Sequence, residues 1–328
     1  MIECSVVVPT CRRLELLARC LAALVRQDLA PGAYEIIVAD DGASEATRAH
    51  VARVRDRGHR VRYLPVVGSR HGPAAARNVG WRAAEGWLIA FTDDDTVPDP
   101  DWLRTALARF SRARHADEAQ VDAAFGRMVV PLPERPSDYE RDAAALEQAG
   151  FVTANCFVRR DVLQSLHGFD EAFTSAWRED SDLYFRLLAA RHHVVPLDDA
   201  VVLHPVRPAP WGISIAQQRK SSFDALLYRK HPDLFAVYVR PARPSLYYVI
   251  AVALVVVVGG AVASSASIAL VGLAAWLALT LSFAVQRLRG TSRAPAHVAE
   301  MLVTSAVIPP VALFWRARGA LRHRVLFW

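Results

Sequence analysis

Three consecutive carboxylates, Asp93-Asp94-Asp95, follow the apolar run Leu88–Phe91. Side by side they repel one another unless a cation or strong hydrogen bonds hold them. A hard divalent ion such as Mg2+ or Mn2+ takes one or two carboxylates and completes its shell with phosphate oxygens. The same triplet also suits a solvated turn, because Pro98 and Asp99 follow and a helix is expected near 99. A second acidic pair, Asp40-Asp41, follows the apolar run Ile36-Ile37-Val38 with one residue between. Four or five carboxylates converging on one crevice favour a bound cation over simple capping.

The elements that must position these acids are legible as alternating periods. Val6–Val8 reads as a strand, and Leu14, Leu17, Leu21 and Leu24 then form one apolar helical face. Ile36–Val38 is a second strand, followed by a helix around 44–57 with Ser44 as its N-cap. Val61–Val67 is a third, followed by a helix around 73–85 with Pro73 in its first turn. Trp87–Thr92 is the fourth and runs into the acidic triplet. Strand–helix alternation predicts an α/β sandwich, a mostly parallel sheet flanked by helices, with ligands beyond the carboxyl ends of the strands. That edge carries Pro9-Thr10-Cys11-Arg12, Asp40-Asp41-Gly42 and Asp93–Asp95.

Charge narrows the partner class. The 328 residues carry a net charge of +6, yet residues 243–328 hold eight Arg against one acid, Glu300. Residues 1–242 are therefore slightly acidic, and a nucleic-acid partner is not expected. Cys4, Cys11, Cys20 and Cys156 show neither CxxC spacing nor zinc-finger histidines, and read as reduced, buried or incidental thiols. Met1-Ile2-Glu3 runs directly into the first strand, so a cytoplasmic placement of the N-terminal domain is expected.

Four pieces in order, Ser5-Val6-Val7-Val8-Pro9-Thr10, Val38-Ala39-Asp40-Asp41-Gly42-Ala43-Ser44, Gly72-Pro73-Ala74-Ala75-Ala76-Arg77-Asn78-Val79-Gly80 and Phe91-Thr92-Asp93-Asp94-Asp95, resemble the signature of family 2 glycosyltransferases. Asn155-Cys156-Phe157-Val158-Arg159-Arg160, Gly168-Phe169-Asp170-Glu171 and Glu179-Asp180-Ser181-Asp182-Leu183 resemble that family's acceptor-side half. The resemblance spans about 1–205 and implies a GT-A fold, a nucleotide-sugar donor, most simply uridine-linked, a Mg2+ or Mn2+ ion and inverting transfer.

By the same resemblance, Asp93 lies near the ribose, Asp95, with Asp94 beside it, holds the metal, and Asp41 accepts from the nucleobase. Pro9, Thr10, Arg12, Asp40 and Arg77 line the donor site. Asp180, paired with Glu179, is the base that removes the acceptor proton, while Asp182 is structural. His204, after the strand Val201–Leu203, is a late metal ligand. Asn155, Trp177, Arg219 and Lys220 are candidates for the acceptor or diphosphate, although Arg219 and Lys220 fit a solvated amphipathic helix equally well. Gln217-Gln218-Arg219-Lys220 departs from the Gln-x-x-Arg-Trp motif of processive members, with Ala216 and Lys220 at the failing positions, so a single transfer is expected. A sugar nucleotidyltransferase is the rival enzyme, but the loop after the first strand lacks its glycines. A non-catalytic membrane scaffold is the rival of another class.

The tail belongs to a different medium. Leu246–Ala263 and Ile268–Val285 are uncharged stretches of a length that spans a bilayer core, joined by Ser264-Ser265-Ala266-Ser267. Arg240 and Arg243 flank one end, and Arg287, Arg289 and Arg293 the other, which places both ends in the cytoplasm. Val298–Trp315 contains Glu300 and Pro309-Pro310 and reads as an interfacial or re-entrant helix. Arg316, Arg318, Arg322 and Arg324, with Trp315, Phe327 and Trp328, would rest on anionic membrane lipids. Four segments are expected: 1–115 for the donor, 116–240 for the acceptor and catalysis, 241–290 as a transmembrane hairpin, and 291–328 as the interfacial segment. Within the second, the proline-rich stretch 131–150 is a candidate mobile acceptor loop. The expected setting is the inner (cytoplasmic) membrane, with a lipid-linked or membrane-proximal acceptor; oligomeric state is not legible.

Overall fold

The computed structural model describes residues 1–115, 120–239 and 245–326. Arg240, Arg243, Phe327 and Trp328, named above at the membrane flanks, lie outside the described residues. The chain divides into two compact units, Met1–Pro131 with Ala145–Arg207, and Leu132–Ala144 with Pro208–Trp328. The stretch 116–240 is thus shared between units rather than forming one segment.

The first unit opens with β1 (Cys4–Thr10), α1 (Leu14–Leu24), β2 (Tyr34–Asp40), α2 (Glu45–Asp56), β3 (Val61–Pro65), α3 (Pro73–Arg82) and β4 (Leu88–Thr92). β5 (Val97–Pro98), α4 (Trp102–His115) and β6 (Ala123–Val129) follow. The second unit supplies α5 (Asp138–Ala144), after which the first resumes with β7 (Asn155–Arg159), α6 (Arg160–Ser165), α7 (Glu179–Ala189) and β8 (Val194–Leu203). The eight strands form one sheet in the order β3-β2-β1-β4-β7-β6-β8-β5. β3, β2, β1 and β4 are parallel, and β7 runs antiparallel between β4 and β6, so the sheet is mixed.

Every residue of β1 is buried, as a strand covered on both faces must be. Val6 and Val8 join a core with Leu17, Leu21 and Leu24 of α1 and Trp102 and Leu103 of α4. Val7, pointing the other way, joins Ala74 and Trp81 of α3 and Leu183 and Leu187 of α7. Gly80 lets α3 lie directly on β1, since a Cβ there would stand 2.4 Å from Val7 Cγ1. Ser44 caps α2 as expected, its Oγ accepting from Thr47 N at 3.4 Å.

The second unit continues through α8 (Ile213–Gln217), α9 (Ser222–Lys230), α10 (Pro232–Leu234), α11 (Ser245–Val262), α12 (Ala266–Leu288) and α13 (Pro295–His323). The last three are each long and apolar enough to cross a membrane. Gly260 and Gly272 let α11 and α12 close on each other, because a Cβ would lie 2.5 Å from Ala269 N and 2.8 Å from Val257 N. α13 runs unbroken for 29 residues through Pro309-Pro310, so this segment does not turn back on itself.

The proline-rich stretch expected as a mobile acceptor loop is in part a helix held within this unit. Ser137 and Glu140 form a capping box at the start of α5, with Ser137 N donating to Glu140 Oε2 at 2.6 Å and Glu140 N to Ser137 Oγ at 3.2 Å. Asp138 Oδ2 accepts from Arg287 Nε at 3.1 Å and Nη2 at 2.8 Å. Arg287 Nη1 donates to Thr304 Oγ1 at 2.6 Å and Ser305 Oγ at 3.1 Å. A guanidinium buried at 7% exposure is tenable only with such partners.

Candidate active site

The parallel register brings Thr10 opposite Asp40 at the carboxyl end of β1 and β2, and the acidic triplet follows β4 beside them. The pair Asp40-Asp41 divides its work. Asp40 is fully buried and shapes its own loop, accepting from Gly42 N and Ser44 N at 2.8 Å each and from Tyr63 Oη at 3.1 Å. Asp41 is partly buried, with His71 Nδ1 2.7 Å from Oδ1 and Gly72 N donating to Oδ2 at 2.9 Å.

The three acids of the triplet also diverge. Asp93 Oδ1 accepts from Arg77 Nη2 at 2.7 Å. Asp94 turns back to β1, accepting from Thr10 Oγ1 at 2.7 Å and Arg13 Nη1 at 3.2 Å. Burial lifts its carboxyl to about 6 despite these donors. Asp95 Oδ1 lies 3.4 Å from His204 Nε2, and its Oδ2 lies 3.0 Å from Arg207 Nε. Each carboxylate therefore meets its own donor, which relieves the repulsion that the bare sequence posed.

Arg77 ties the two halves of the first unit together. It is 2% exposed, and its Nη1 donates to Glu179 Oε1 at 2.9 Å while Nη2 holds Asp93. Arg77 is thus a buried bridge. Its neighbour Asn78 grips the loop before α7, donating to Phe169 O at 2.9 Å and accepting from Phe169 N at 2.9 Å. Gly72 begins α3 at φ +105°, and a Cβ there would stand 2.5 Å from Thr174 O on that same loop. Gly72→Ala is expected to destabilise the protein by about 2 kcal/mol or more, through strain and this backbone collision together. Gly58→Ala, at φ +92° with nothing within 4 Å, isolates the strain. Thermal midpoints of the two variants check the difference; equal losses would remove the loop contact from the explanation.

Glu179 and Asp180 open α7, where the positive end of the helix faces them. Burial pushes both carboxyls up, with Arg77 opposing the effect on each. Asp180 Oδ1 takes the bonds from Ser181 N at 2.6 Å and Oγ at 3.3 Å. Asp182 is fully buried against Arg186 Nε at 2.8 Å, a structural ion pair as expected.

The order of these residues along the chain now has a spatial meaning: Asp93, after β4, and Glu179, at the start of α7, share one guanidinium. The family model described as Glycosyl transferase family 2 matches residues 5–166, and that described as Glycosyl transferase family group 2 matches residues 88–315, more than half of the chain. The chain belongs to glycosyltransferase family 2. The validoxylamine A glucosyltransferase of Streptomyces hygroscopicus subsp. limoneus is 29% identical over 70% of this chain and 57% of that protein. The chain thus spans little more than half the length of that relative. The GalNAc(5)-diNAcBac-PP-undecaprenol beta-1,3-glucosyltransferase of Campylobacter jejuni is 34% identical over 40% of this chain and 39% of that protein. In fold, the chain resembles the mannosyltransferase of Pyrobaculum calidifontis solved with GDP-Man and Mn2+, at TM-score 0.59 and 20% identity over 95% of this chain and 87% of that one.

Several residues of this family 2 glycosyltransferase stand elsewhere than their motifs suggest. Asn155, expected at the acceptor or diphosphate, is fully buried. Its Nδ2 donates to Arg127 O at 3.0 Å and Ala200 O at 2.9 Å, and its Oδ1 accepts from Trp102 Nε1 at 2.8 Å. It braces β6, β7 and β8 against α4, and its amide is consumed by that task. Trp177 is partly exposed, with the Arg178 guanidinium 4.7 Å from its ring centre. Arg12 is exposed at φ +55°, and the neighbouring Arg13 is the one that reaches Asp94. Arg219 and Lys220 belong to the second unit, where Arg219 lies over Trp315 at 5.8 Å.

Sequence reasoning missed His71, Arg13 and Arg207. Arg207 had a usable signal, three residues beyond His204 in His-Pro-Val-Arg. Among the described residues, no three His, Cys, Asp or Glu side chains form a group that could hold a metal. Asp95 and His204 nonetheless fit a hard cation, because such an ion needs only one or two protein ligands when diphosphate oxygens fill its shell.

Proposed function

We propose that this glycosyltransferase transfers one sugar, with inversion, from a nucleotide-sugar donor to a lipid-linked or membrane-proximal acceptor. The observation that carries the reading is the bridge Asp93–Arg77–Glu179, which fixes the donor acids and the acceptor-side acids as one constellation. Asp41 would receive the nucleobase N–H, with Pro9, Thr10 and Arg12 beside it and Asp93 near the ribose. The base is read as uridine, whose pairing edge offers one N–H to a carboxylate already holding a partner on each oxygen. Asp180 is the general base, its Oδ2 aimed at the acceptor hydroxyl while Oδ1 is held by Ser181.

Asp95 and His204 would hold Mg2+ or Mn2+, which neutralises charge developing on the diphosphate leaving group. The Pyrobaculum fold relative, solved with Mn2+, supports that assignment. The acceptor class is supported by α11, α12 and α13 and by the undecaprenol-linked substrate in the Campylobacter relative's name. Arg287, in the last turn of the second apolar helix, and Arg289 and Arg293 after it support an inner-membrane setting with the first unit in the cytoplasm.

The full chain, incubated with UDP- and GDP-sugars and membrane lipid extract, is expected to yield a lipid heavier by one sugar residue, with nucleoside diphosphate released. Released pyrophosphate would identify a nucleotidyltransferase instead, and no product a scaffold. Chelation is expected to stop transfer; activity surviving exhaustive chelation would remove Asp95 and His204 from the metal role.

A further inference from the structure

Asp95 is approached by two basic groups on different oxygens, His204 Nε2 at 3.4 Å from Oδ1 and Arg207 Nε at 3.0 Å from Oδ2. The carboxylate is fixed, with 5% of its side chain exposed, whereas the Arg207 side chain is 36% exposed and has solvent to move into. His204 is pinned by its own backbone, whose N–H donates to Val129 O at 2.8 Å. Arg207 follows Pro205 and Val206 beyond the end of β8 and stays tethered within three residues of that point.

We infer that Arg207 is the resident counter-cation of Asp95, a specificity and loading residue that yields Asp95 Oδ2 to a divalent cation and then grips the donor's diphosphate. The inference rests on the proposed metal role of Asp95 and His204. A buried carboxylate needs a positive charge beside it, and Arg207 supplies one when nothing else does. A guanidinium and a divalent cation on one carboxylate repel strongly where solvent screens poorly. Among the described residues the acid that Arg207 meets is Asp95, so a displaced guanidinium is left without one. The anionic oxygens nearest a cation on Asp95 are those of the donor's diphosphate. Its planar fork matches two phosphate oxygens, which the compact ammonium of lysine does not. Cation and nucleotide binding are then coupled through Arg207, and the coupling is reciprocal.

The test measures binding rather than turnover. Free Mn2+ is followed by electron paramagnetic resonance while the full-length wild type, R207Q and R207K are titrated with and without UDP or GDP, folding being checked by thermal midpoint. R207Q is expected to bind Mn2+ about tenfold tighter than wild type without nucleotide, and to lose most of the gain that nucleotide gives. R207K, which keeps the charge but not the fork, is expected to hold wild-type Mn2+ affinity and to lose that gain. A folded R207Q whose Mn2+ affinity is unchanged or weaker overturns the counter-cation role. If R207Q does not fold, R207K decides: a retained nucleotide gain overturns the inference and its loss supports it. D95N is expected to abolish Mn2+ binding. Wild type that binds no Mn2+ under any condition overturns the metal role itself and this inference with it, whereas Mn2+ binding that ignores Arg207 overturns this inference alone.

Discussion

Asp180→Asn is expected to reduce transfer by about a hundred- to ten-thousand-fold, the range over which a positioned base contributes. The amide keeps the shape of the side chain and can still accept from Ser181 N, so α7 and its first turn should survive. Nucleotide affinity should change little, since the proposed donor contacts lie on Asp41, Thr10 and the triplet. The wild type should also carry a signature in pH. Burial holds the Asp180 carboxyl above the ordinary aspartate range, and the base acts only when ionised. kcat/KM should therefore rise with pH through that elevated pKa and fall away below it. The residual activity of the Asn variant should lack this acid limb. Full activity in the variant, or an acid limb that persists, would take the base role away from Asp180.

Arg77→Met is the second large effect, and it is first an effect on stability. Removing one partner of a buried ion pair costs about 3–5 kcal/mol, because the remaining charge stays buried without compensation. Here two carboxylates, Asp93 and Glu179, lose the same guanidinium. Burial already raises the Glu179 carboxyl to about 7, and without Arg77 it should rise further. A carboxyl whose pKa is higher folded than unfolded binds more protons in the native state, so stability falls as pH rises through that range. The variant should thus recover part of its loss at pH 5 relative to pH 8. Thermal midpoints of both proteins at the two pH values measure this, and an equal deficit at each would mean that the carboxylates are not what Arg77 compensates. Transfer should fall as well, since Asp93 and Glu179 are no longer held in common.

The alternation of β-branched runs and helical patterns was legible because period 2 and period 3.6 are local properties of the chain. Ser44, Pro73 and the apolar face Leu17–Leu21–Leu24 each declared an element within a few residues. The antiparallel β7 was not legible, because strand direction is settled by pairing with β4 and β6, far off in sequence. The acids of the site were visible as motifs, while their partners were not. Arg77 meets Glu179 across 102 residues and His71 meets Asp41 across 30, distances over which spacing has no period. Asn155 misled for the opposite reason: it lies in a motif, but its amide is needed to close the sheet. Asp95 and His204 lie 3.4 Å apart, and Arg207 beside them went unseen.

The pairing of Asp138 with Arg287 bears on the order in which this protein can be assembled. The two residues are separated by 149 positions, and the strands of the sheet are complete by Leu203. As the chain leaves the ribosome, the sheet can close while α5, inserted between β6 and β7, still waits for the buried Arg287 guanidinium, made much later. During that interval Asp138 has Arg141, one turn along α5, whose Nη2 donates to its Oδ1 at 3.0 Å, while Oδ2 faces water. A chain stopped before Arg287 would keep it in that provisional state, so a soluble fragment for biochemistry requires a redesigned 132–144 as well as an earlier stop.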